Sequence, residues 1–251
     1  MPGYDEDRER CRVTIRFSKD DIIQPEYDIM VSRVLVTKYS EYFRAAFEHD
    51  CFVEAQTGVV VLDESDRLPC THFIWWIYRE AGIRNMDVFD AEGQKRPEKS
   101  RPSISERTKA DPAYDVFCIL TQCLIFAEMR QAPGFHNWAM KTLIHGLNTN
   151  RLRKLVIAKC RIEHIYRNSI RGSLVRKILV DIFVSQLNGS HGFVYRRLLT
   201  EGDPFYQAYD PAFLEDVLLA SLNPNQASLC PTVWNRDPYM VKVKNGKGTS
   251  M

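Results

Sequence analysis

The sequence predicts an α+β fold in which a small sheet is covered by helices. Three observations carry that reading. Arg12 to Phe17 alternates apolar and polar residues with a period of two, apolar spacing turns helical from Leu35, and a succession of helical segments follows a lone β-branched run at Val59 to Leu62.

The elements follow in chain order. Val13, Ile15 and Phe17 on one side, with Arg12, Thr14 and Arg16 on the other, describe a half-buried strand. A second extended piece over Tyr27 to Val31 follows a polar connection containing Pro25, and the two pair as a hairpin with a loose loop. Leu35, Tyr39, Tyr42, Phe43, Ala46 and Phe47 fall on one broad helical face, with Ser40 starting a second short helix. Gly58 opens the continuous apolar run Val59 to Leu62, which reads as a strand covered on both faces. Asp63, Glu64, Ser65 and Asp66 signal the start of a helix over about Leu68 to Glu80, and Gly82 caps its end.

Residues 84–110, rich in proline, serine and charge, read as a mobile insertion. Asp111-Pro112 opens a core helix running to about Arg130, and Pro133 opens a partner helix that Gly146 ends. Two more helices are expected near Arg161 to Ser169 and Ser173 to Leu187, then another over Pro211 to Leu222. The expected organisation is a flexible N-terminus at 1–11, a domain at 12–147, a helical extension at 148–222 and a flexible tail at 223–251.

Composition narrows function. Thirty-four basic and thirty-two acidic residues leave a net charge of +2, too little to recruit nucleic acid by overall electrostatics. No secretory signal opens the chain, and the longest apolar stretch, Val116 to Ala127, is too short to span a bilayer. The expectation is an intracellular protein, cytoplasmic, nuclear or both, with no membrane partner. Seven dispersed cysteines without a C-x-x-C pair read as reduced thiols, with Cys118 and Cys123 in the core.

Enzyme motifs are missing: the chain has no G-x-S-x-G, no H-E-x-x-H and no glycine-rich phosphate loop after a strand. Gly246-Lys247-Gly248-Thr249 lacks the upstream glycine of a phosphate loop. His49, Cys51, Cys70 and His72 are four soft ligands, but one intervening residue per pair is shorter than zinc sites use, so a zinc-binding protein or Cys/His enzyme is the remote alternative. The reading is therefore of a non-enzyme with no metal and no cofactor. Lys95, Arg96, Lys99, Arg101, Arg107 and Lys109 give the insertion a local positive balance without interleaved aromatics, the pattern of a solvated loop.

Ser40-Glu41-Tyr42-Phe43-Arg44-Ala45-Ala46-Phe47, followed by Phe52-Val53-Glu54-Ala55-Gln56-Thr57-Gly58-Val59-Val60-Val61-Leu62, resembles a BTB/POZ domain and is closest to its fungal members. Phe73 to Ile83 and Ala139 to Leu143 continue the pattern. Ile162 to Asn168 and Ser173 to Val184 resemble the helical C-terminal extension of those proteins, with Phe213 to Leu219 a weaker echo. The resemblance implies a protein-interaction module acting by self-association, as a homodimer, or by recruiting other proteins through its first helix and neighbouring strand. Some members of that family dock a cullin scaffold of a ubiquitin ligase through a hydrophobic-x-acidic triplet after the second helix, and Phe52-Val53-Glu54 stands at that place; the alternative is that Phe52 folds onto the core and Glu54 is solvated. Ser32-Arg33-Val34 departs from the polar pattern with which the family opens its first helix. The partner-binding candidates are Leu35, Tyr39, Phe52, Glu54 and Trp76. Trp75 and Trp76 point about 100° apart on a helix, so one fills the core while the other can anchor a partner.

Overall fold

In the computed structural model, residues 12–83, 112–149, 157–188, 209–222 and 237–242 are described. The expected flexible N-terminus, the insertion at 84–110, the Asp111 cap and most of the tail lie outside them. The architecture is α+β, as expected. It divides into two compact units, 1–107 with 126–138 and 241–251, and 108–125 with 139–240. This division crosses the expected domain ranges, because two helices contribute residues to both units.

The first unit holds a mixed four-stranded sheet. Strand β1 (Arg12–Lys19) pairs antiparallel with β2 (Ile22–Ile23) and β3 (Ile29–Ser32), and parallel with β4 (Val59–Asp63). Residues 14 and 15 pair with both β3 and β4, and Ser18 pairs with both β2 and β4. A strand has only two edges, so β4 takes one and β2 and β3 share the other.

Register sets the faces. Ile15 lies opposite both Ile29 and Val60, and Phe17 opposite Leu62, so these side chains and Val13 and Val31 form one buried face. Val61 aligns with Arg16 and is 49% exposed. The expectation that Val59 to Leu62 is covered on both faces is thus corrected to one. The expected antiparallel pairing of the two extended pieces is present as β1 with β3, but a short strand, β2, interrupts their connection. Asp20 and Asp21 both have positive φ, 49° and 63°, making the tight two-residue turn that matches strand twist. Tyr27 lies in a 3₁₀ turn (Pro25–Tyr27), so the second extended piece begins at Ile29. Asp28, 3% exposed, accepts three bonds from the Arg16 guanidinium at 2.8–3.2 Å.

Helices α1 (Arg33–Tyr39), α2 (Glu41–Glu48) and α3 (Val53–Thr57) connect β3 to β4. The Ser40 hydroxyl caps α2 as expected, accepting from the Phe43 N–H and donating to the Arg130 carbonyl. Gly58, at φ +68°, ends α3 in the left-handed conformation that favours glycine. Helix α4 (Arg67–Glu80) closes as Gly82 predicts: Gly82 and Ile83 donate back to Arg79 and Tyr78. Its inner residues Phe73 and Trp76 join Phe43, Phe47, Phe126 and Phe135 in an aromatic core with ring centroids 5.4–6.4 Å apart.

Helix α5 (Pro112–Met129) gives its last turn to this unit, and α6 (Pro133–Asn148) its first residues. Between them Gln131 takes φ +48°, while Gln131 and Ala132 donate to Glu128 and Ala127, the same double closure that Gly82 makes. Arg130 pairs with Asp66 at 2.5 Å and lies over the Tyr42 ring. Asn137 both donates to and accepts from the Val241 backbone at 2.8 Å. Gly146 does not end α6, which continues to Asn148 because nothing there forces a left-handed turn.

The second unit is helical among its described residues. It comprises the remainder of α5 and α6 with α7 (Lys159–Arg167), α8 (Leu174–Asn188) and α9 (Pro211–Leu222). Its core collects Phe117, Leu124, Leu143, Ile178, Phe183 and Phe213, and both Cys118 and Cys123 are buried there. The Tyr166 hydroxyl donates to Asp216 at 2.6 Å. Part of the tail expected to be flexible is packed instead: Tyr239, in a 3₁₀ turn (Asp237–Tyr239), is buried and donates to Asp181 at 2.6 Å.

Candidate protein-interaction surface

The triplet Phe52-Val53-Glu54 sits where α2 turns into α3. His49 ends α2 by donating to Ala45, and Phe52 and Ala55 then donate to His49 and Phe52 in successive tight turns. Phe52 is therefore the N-cap of α3, outside the helix. Its ring meets His49 edge-on at 6.3 Å, yet it remains 46% exposed, and Val53 beside it is 67% exposed. Glu54 occupies the first turn of α3, where a carboxylate faces the positive end of the helix dipole, and is half-buried. Two apolar side chains are thus held in water next to an acid whose position is set by a helix start.

The other candidates fall elsewhere on this unit. Leu35 and Tyr39 are half-buried on α1, and Tyr39 meets Trp76 edge-on at 5.3 Å. The core-facing residues of α1 are Val36 and Thr37, one position away from the expected Leu35 stripe, while Val34 is 64% exposed. Val34 carries no motif, and only its exposure marks it.

Trp76 is corrected. It is 4% exposed, enclosed by Tyr39, Phe73 and Phe135, so it cannot anchor a partner. A Cβ at position 134 would come within 2.8 Å of the Trp76 indole, so Gly134 leaves the space that the ring uses. The neighbouring Trp75 is the outward tryptophan at 40% exposure, tilted against Trp138 at 6.0 Å and flanked by the Arg79 guanidinium.

The four His and Cys residues weighed as metal ligands have unlike surroundings. Cys51 is exposed, whereas Cys70 is fully buried and burial pushes its thiol up. Burial pushes His72 down, and its enclosed Nε2 has no hydrogen-bond partner among the described residues. Among the described residues, no group of three or more His, Cys, Asp and Glu side chains is placed to hold a metal ion. No described helix is long and apolar enough to cross a membrane. Compared with models of protein families, with curated proteins and with solved structures, the chain gives no match.

Proposed function

We propose that this chain is a protein-interaction module of the BTB/POZ type, working by self-association or partner recruitment and not by catalysis. The observation that carries the reading is the exposure of Phe52 and Val53 at the start of α3, beside the half-buried Glu54. Apolar side chains presented by a rigid helix start are suited to fill a pocket in another protein, and the adjacent acid fixes register. The order of elements, three antiparallel strands, three helices, a parallel strand and an aromatic-rich helix, supports the reading as well. Light scattering over a concentration series tests it. A dimer dissociated by Val34→Glu supports self-association through α1, and a monomer at every concentration removes that form.

The placement of the triplet favours a second reading, a cullin-type ubiquitin ligase adaptor. It expects a purified cullin scaffold to be captured by the wild-type chain and lost with Phe52→Ala or Glu54→Ala. Absence of capture, or capture indifferent to both substitutions, refutes the adaptor role.

A further inference from the structure

Within the second unit, a small contact made by the last described turn combines a hydrogen bond with a cation–π interaction. The turn Asp237–Tyr239, closed by the Met240 N–H on the Asp237 carbonyl, lies against α8. Its Tyr239 ring is 6% exposed. The hydroxyl donates to Asp181 at 2.6 Å, and the Lys177 ammonium stands 5.2 Å from the ring centroid. Lys177 and Asp181 are four residues apart, so they share one face of α8 and read two features of a single side chain, its π face and its hydroxyl. Phenylalanine offers only the first. Asp237 and Pro238 beside it are exposed, and segments whose backbone lies largely at the surface open locally at low free energy.

We propose that the Lys177 and Asp181 face of α8 is a recognition site for a tyrosine-bearing segment, filled by the chain's own residues 237–240 as a tethered, displaceable ligand. The site is independent of the triplet on the first unit and of the function proposed for it. A ligand carried on the same chain competes at an effective concentration on the order of millimolar. A free peptide is therefore excluded from the wild-type chain at micromolar concentrations and admitted once the tethered ring is removed.

The probe is a fluorescent peptide of the sequence Asn-Arg-Asp-Pro-Tyr-Met, copied from residues 235–240. Titrated against full-length chains, it is expected to bind Tyr239→Ala saturably and the wild type at least tenfold more weakly, roughly the handicap that tethering imposes. Adding Asp181→Ala, or replacing the peptide's tyrosine by phenylalanine, is expected to weaken binding about tenfold, the loss of one charge-assisted hydrogen bond. No binding to Tyr239→Ala, equal binding to both chains, or indifference to Asp181 overturns the proposal. Hydrogen exchange on the wild-type chain decides the matter independently of how that variant folds. The Tyr239 and Met240 amides should exchange about a hundredfold faster than the central amides of α8. Exchange of both at one rate would make residues 237–240 ordinary core and sink the idea.

Discussion

Replacing Gly134 by alanine sets two known effects against each other. An added methyl in the first turn of α6 improves helix propensity and restricts the unfolded chain, together worth at most about 1–2 kcal/mol of stabilisation and less so near a helix end. The same methyl would lie 2.8 Å from Cη2 and 3.2 Å from Cζ2 of Trp76. Carbon pairs prefer about 3.5–4.0 Å, so the indole must retreat by roughly 0.7 Å. It has little room, because Tyr39, Phe73 and Phe135 enclose it. Overpacking of this kind costs about 1–3 kcal/mol, and since the indole is a rigid bicycle packed on several sides, the steric effect wins. We expect Gly134→Ala to destabilise by about 1–2 kcal/mol in urea titrations followed by circular dichroism. In a Trp76→Leu background the clash is gone, and the same substitution becomes neutral or stabilising. A raised urea midpoint in the wild-type background, or a coupling below about 0.5 kcal/mol in the double-mutant cycle, would refute the reasoning.

Three further outcomes follow from the same geometry. Trp76→Ala should cost about 3–5 kcal/mol by emptying an aromatic core, whereas Trp75→Ala, at an exposed site, should cost less than about 1 kcal/mol in the same titration. Gln131→Gly should stabilise by about 1 kcal/mol by relieving a left-handed residue, and Gly58→Ala should destabilise by a similar amount, both read from thermal unfolding. Burial lowers the pKa of His72 below its ordinary 6.5, so as pH falls below that value the unfolded state binds the proton first. Stability should therefore drop as pH falls from 6.5 until the folded imidazole titrates too, and His72→Gln should reduce the difference in melting temperature between about pH 7.5 and about pH 5.5.

What could be read from the residues was whatever depends on local periodicity. The β1 alternation names its buried set correctly because a period of two leaves only two faces. The Ser40 and Gly82 caps were legible because hydroxyl and glycine act on backbone groups a few residues away. The tight β1–β2 turn was not, since Asp20-Asp21 lacks the glycine that usually advertises two positive φ angles. Gln131 hides a helix end for the same reason. The run Val59 to Leu62 contains no polar residue to mark its outer face. Only its parallel register beside β1 turns Val60 and Leu62 inward and Val61 out.

For the candidate surface, the limit was phase. Helical spacing says which residues share a face but not which face meets the core, and on α1 and α4 that choice rests on residues far along the chain. Leu35 and Val36 are equally apolar, as are Trp75 and Trp76, so neither pair announces which member is inside. For the tryptophans the decision is made by Phe135, which receives the Trp76 ring, and by Gly134, which leaves it space. That glycine was the available signal. It stands directly after Pro133 in a helix start, where a better helix former would ordinarily serve, and its φ is not one that requires glycine. A glycine that neither turns the chain nor caps a helix implies a close approach by something bulky. In this unit the bulky group that meets it is Trp76, and the adjacent Trp75 is left as the outward-facing tryptophan.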